Sequence, residues 1–102
     1  MISPDAIKEL VERDFADVRA ERRHNPDGWS FYHREAHRGE PPTRLAGAVQ
    51  PWPGSPTFFR LALSSRLTGA EHEHQADSAE QVRAWLRDEL RLYDEHYGRP
   101  KA

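Results

Sequence analysis

Two histidines one residue apart, His72 and His74 in AEHEHQADSAEQ (residues 70–81), are the first side chains here whose type and spacing suggest chemistry. On a strand, residues two apart point to one side, so two imidazoles there could share a metal ion. Zinc needs at least one further ligand, and His33, His37 and His96 qualify only if the fold brings them near. Glu71 and Glu73 alternate to the opposite face. The plainer expectation is a polar edge strand, blunted by charge and imidazole against aggregation. No metal or other cofactor is expected.

Other catalytic patterns fail on their own terms. HREAH (33–37) resembles a metalloprotease helix only superficially, because Glu must directly follow the first His and the segment reads as strand or loop. HEHQA has that Glu, but Ala76 stands where the second His belongs. No nucleophile elbow, phosphate loop or dinucleotide-binding glycine pattern is present, and a chain with no cysteine has no thiol nucleophile or thiolate zinc site. Six histidines leave acid/base work open, but no constellation supports it, and the chain is expected not to be an enzyme.

Arginine carries the stronger signal. Thirteen of the fifteen basic residues are Arg, and residues 29–69 hold five of them against two glutamates. Placing Phe31, Leu45, Phe59 and Leu61 inward leaves Tyr32, Arg34, Arg44, Phe58, Arg60 and Arg66 on the other sheet face. Such a surface suits an acidic protein or stacked bases and phosphates. Long Arg stems also simply solubilise an exposed sheet, and a one-residue slip in the first strand would exchange Tyr32 and Arg34 for Trp29, Phe31 and His33. Trp52, between prolines in PWPGSP, is stiff enough to anchor an interface, or else folds back to close the core.

The elements that must position these residues follow from periodicity. Ser3-Pro4 is a cap followed by proline at the first helical position, and Ile7, Leu10, Val11, Phe15 and Val18 recur at helical spacing, predicting a helix from about residue 4 to about 23. NPDG (25–28) ends it as a turn. WSFYHREAH, TRLAGAV and TFFRLALSSRL alternate as three strands separated by proline loops, with EHEHQA a short fourth. Asp77 with Glu80 and Ser78 with Gln81 form overlapping capping boxes, opening a helix whose buried stripe is Val82, Trp85, Leu86, Leu90, Tyr93 and Tyr97.

The expected fold is α+β, a two-layer sandwich of order α-β-β-β-(β)-α. Two helices cover one face of a three- or four-stranded antiparallel sheet and leave the other open. Its 102 residues, 36% hydrophobic, suit a single domain spanning 1–102. A mean hydropathy of −0.95 would suit disorder, but the aromatic residues fall at periodic positions. No apolar run approaches transmembrane length and the N-terminus lacks an export pattern, so the cytoplasm is the expected compartment.

These features predict a small regulator, inhibitor, immunity or adaptor type of module that binds an acidic protein partner through the arginine and aromatic face. A homodimer through that face is a close variant. The alternatives are a nucleic-acid-associated module on the same face and a metal-binding protein or enzyme built on His72 and His74. A net charge of −2 weighs against nucleic acid.

Overall fold

Ser3 caps the first helix as its sequence predicts: its Oγ accepts the Ala6 N–H at 3.2 Å, and Pro4 fills the first turn. The computed structural model describes residues 2–34 and 43–97. Their order is α1 (Pro4–Asp14), β1 (Val18–Arg23), β2 (Gly28–His33), β3 (Arg44–Val49), β4 (Phe58–Leu61), α2 (Ala62–Thr68), β5 (His72–Gln75) and α3 (Ala79–Tyr97). The five strands form one antiparallel sheet in sequence order. The class is α+β with an open sheet.

Two boundaries depart from expectation. The first helix stops at Asp14, and Val18–Arg23 is an edge strand rather than the helix's last turns. Phe15 turns extended (φ −127°, ψ 92°), and the Val18 N–H donates to its carbonyl at 3.2 Å. That turn keeps Phe15 and Val18 in the core, so their three-residue spacing fits a chain reversal as well as it fits a helix. Ala, Glu and Arg favour helix, but pairing of β1 with β2 across the NPDG turn overrides a weak preference. Asn25 holds φ 53° there, a left-handed geometry that Asn tolerates.

The second departure splits the long third strand. Only Phe58–Leu61 is extended; Ala62–Thr68 is helical, closed by Gly69 at φ 75°. Leu61 stands at the N-cap with no side chain to offer, so nothing local announces this helix. Its cap arrives from α3. Glu89, fully buried, accepts the Ser64 N–H through Oε2 at 3.0 Å and is also bonded by the Leu63 backbone. Burial nevertheless raises the Glu89 carboxyl above its ordinary range, and among the described residues Oε1 has no partner.

α1 and α3 lie on the same face. Trp29 Nε1 donates to Asp5 of α1 at 2.9 Å, His33 stacks on Tyr93 of α3 at 4.5 Å, and Phe59 packs 6.0 Å from Trp85. Phe31, Ala46, Ala48, Phe59 and Leu61 meet Ile7, Leu10, Val11, Val82 and Leu86 in one core. Arg83 reaches from α3 to Asp14 at 2.7 Å, tying the two helices together. α2 packs against β3 and α3. Ser78 starts α3 through its bond from the Gln81 N–H at 3.3 Å.

Candidate functional site

The helix-free face is set by one irregularity in β3. Phe31 pairs with Ala46 but Tyr32 pairs with Arg44, which makes Leu45 an extra, unpaired residue. Strict alternation would put Arg44 on the side of Ala46 and Ala48. The bulge instead lets Leu45 and Ala46 both enter the core and turns Arg44 out beside Tyr32.

Register then gathers the rest. Tyr32, Phe58 and Arg60 share the open face as their alternation predicts, beside the Arg44 that the bulge turns out, with Arg60 across from Gly47 and Phe58 across from Val49. Tyr32, Arg44, Arg60 and Arg66 line one recess of about 580 Å³. Arg66 reaches it from α2 rather than from a strand. Arg60 Nε ion-pairs with Glu73 on β5, and the Arg19 guanidinium lies 4.9 Å over the Tyr32 ring while also meeting Glu21 at 2.7 Å.

Arg34 and Trp52 are not part of this group. Arg34 follows the end of β2; its Nε donates to the Ala16 carbonyl at 2.8 Å and its backbone N–H to the Asp17 carbonyl, fastening the α1–β1 connection. Trp52 is 67% exposed on the β3–β4 loop and does not close the core. Ser55 holds its loop, accepting the Trp52 N–H and donating from Oγ to the Trp52 carbonyl at 2.6 Å. The ring borders a separate cleft of about 420 Å³ with Pro26, Asp27, Pro51 and the start of α1.

Sequence reasoning missed Arg23, which it placed at the end of a helix. On β1 it faces outward opposite Gly28, and its Nη1 lies 3.5 Å from where a Cβ on Gly47 would stand. The guanidinium therefore crosses β2 to lie over the centre of the sheet, where Gly28, Ser30 and Gly47 are all buried. Burial, with Arg44 and Arg60 close by, weakens its hold on its proton relative to a free arginine. Among the described residues neither Arg23, Arg44 nor Arg66 has a carboxylate partner, and of this group only Arg60 is paired, with Glu73. The available signal was the alternation of VRAERR followed by NPDG, a hairpin arm as much as a helix end.

His72 and His74 do share a face, the one beneath the helices. His74 stacks on Trp85 at 4.8 Å and His72 Nε2 lies 3.0 Å from Thr68 Oγ1. His33 is stacked on Tyr93, and His37 falls outside the described residues. Among the described residues no three His, Asp or Glu side chains gather as a ligand set. β5 is the edge strand that the polar pattern suggested. Ser65, the hydroxyl at the recess, donates to the Leu61 carbonyl and accepts the His72 N–H, both at 3.0 Å.

Comparison with family models, curated proteins and solved structures finds no match to this chain. Among the described residues, no helix is long and apolar enough to cross a membrane.

Proposed function

We propose that this chain is a non-enzymatic, cytoplasmic interaction module whose open sheet face docks an acidic partner protein. One observation carries the reading: Arg23 lies over Gly47, Arg60 stands across from Gly47 and Arg44 stands across from Tyr32 on the same face, with a single carboxylate, Glu73, paired among them. Solubilising a sheet face needs dispersed charge, and β1 achieves that by pairing Arg19 with Glu21. Gathering three guanidiniums costs repulsion and desolvation, which an anionic surface relieves on binding. Tyr32 and Phe58, both half-buried, add aromatic contact area at the rim.

A fluorescein-labelled peptide rich in Glu and Asp tests this by anisotropy at low salt. Arg44→Glu with Arg66→Glu, two exposed side chains without ion pairs among the described residues, is expected to abolish binding and leave the melting temperature nearly unchanged. Equal binding by wild type and variant would move the interface elsewhere. A single-stranded oligonucleotide that bound more tightly than the peptide, with a steep salt dependence, would favour nucleic acid.

A further inference from the structure

The arrangement of the arginines narrows the chemistry of the partner. Resting on the acidic-partner reading, we infer that Arg23, Arg44 and Arg60 form a pocket for one phosphate monoester, carried on a phosphorylated side chain of that partner.

The charge balance comes first. Three guanidiniums against Glu73 leave two positive charges in excess; Arg19 pairs with Glu21 at one margin, and Arg66 and Glu71 both border the recess at the other without pairing. A phosphate monoester carries up to two negative charges near neutral pH, and a single carboxylate carries one.

Geometry agrees. The three side chains come from β1, β3 and β4 onto neighbouring positions of the open face: Arg60 stands across from Gly47, Arg23 lies over Gly47, and Arg44 flanks from across Tyr32. A tetrahedral group with three free oxygens can take a planar two-pronged donor from each direction, whereas a carboxylate has two oxygens to share. Ser30, cross-strand from Gly47, adds a hydroxyl on the floor. Gly28 and Gly47 carry no side chain and are buried, so the Arg23 guanidinium lies low over the sheet and itself forms the base on which such a group would rest. A nucleic-acid backbone carries one charge per phosphodiester in a line, which calls for a stripe of cations rather than a point.

The test uses the full chain and four probes of one length, titrated calorimetrically at pH 7.5: a neutral peptide with a central phosphoserine, its serine and glutamate counterparts, and oligothymidylate. The phosphoserine peptide is expected to bind at least about tenfold more tightly than the glutamate one, and Arg23→Ala, Arg44→Ala and the charge-preserving Arg44→Lys are each expected to weaken it about tenfold. Arg87→Ala, on α3, is expected to change nothing. Lowering the pH below about 6 protonates the phosphate and is expected to weaken binding. Protonating Glu71, His72 or Glu73 beside the recess makes the protein more positive, so loss of binding on acidification belongs to the ligand. Glutamate binding as tight as phosphoserine would overturn the phosphate pocket while leaving the acidic face standing. Failure of both peptides would remove both readings, and preference for oligothymidylate would replace them with nucleic acid.

Discussion

The Ser64 N–H donates to Glu89 Oε2 at 3.0 Å across 25 positions of sequence, so the start of α2 is held by a carboxylate buried on α3. Without that bond the first turn of α2 has no side-chain cap. Glu89→Leu is therefore expected to cost about 1–3 kcal/mol, because it buries the Leu63 and Ser64 N–H groups without acceptors. Glu89→Gln keeps an acceptor oxygen and is expected to cost less. Urea unfolding of both variants checks this.

Acidity follows from the same group. Burial raises the folded Glu89 carboxyl above its ordinary value of 4.5, so between that value and its folded one the native state binds the extra proton. Its contribution to stability is fully present below pH 4.5 and is lost as pH rises through the folded value. Relative to Glu89→Gln, the wild-type protein is expected to lose stability on passing from pH 4.5 to neutrality. A difference independent of pH would mean that the carboxyl titrates normally.

Two glycines of the sheet are expected to respond unequally to alanine. A Cβ on Gly28 would overlap the Ala48 carbonyl oxygen, whereas one on Gly47 meets nothing closer than the Trp29 carbonyl oxygen at 3.4 Å. Gly28→Ala is expected to lose at least about 2 kcal/mol through forced separation of β2 and β3. Gly47→Ala is expected to stay within about 1 kcal/mol of wild type.

Much of this architecture was legible because its signals are local. The Ser3 cap, the NPDG turn, the Ser78 cap and the alternation of Tyr32, Phe58 and Arg60 each involve residues within a few positions of one another. The α+β class followed from them. The missed features depend on distant partners: β1 exists through pairing with β2, and α2 through Glu89. Arg44 lies on the open face, as alternation counted from an inward Leu45 expects, although alternation counted from Ala46 and Ala48 would put it inside. Leu45 was taken as the inward residue, and the bulge brings Ala46 inward beside it. Arg23 was invisible because its strand was read as helix.

Arg34 separates support from recognition. Its bond to the Ala16 carbonyl holds the α1–β1 connection, so Arg34→Ala is expected to cost about 0.5–1.5 kcal/mol in urea unfolding. The same variant is expected to leave affinity for the acidic peptide unchanged. Loss of affinity at full stability would return Arg34 to the binding face.

Trp52 gives a third kind of response. At 67% exposure its removal is expected to change stability by less than about 0.5 kcal/mol. Ser55→Ala, which loses the bonds holding that loop, is expected to cost more than Trp52→Ala does. Melting curves of the two variants, compared side by side, check the order.

If the open face receives the partner, its own arginines must respond to the bound peptide. The most direct test is an NMR titration of the isotope-labelled chain with the acidic peptide, following both backbone amides and arginine Nε–Hε resonances. Saturable shifts are expected at Arg23, Arg44 and Arg60 and along β2, β3 and β4, with the exposed arginines of α3, Arg87 and Arg91, unmoved. Shifts confined to α1 and α3, or to the cleft beside Trp52, would contradict docking at the open face.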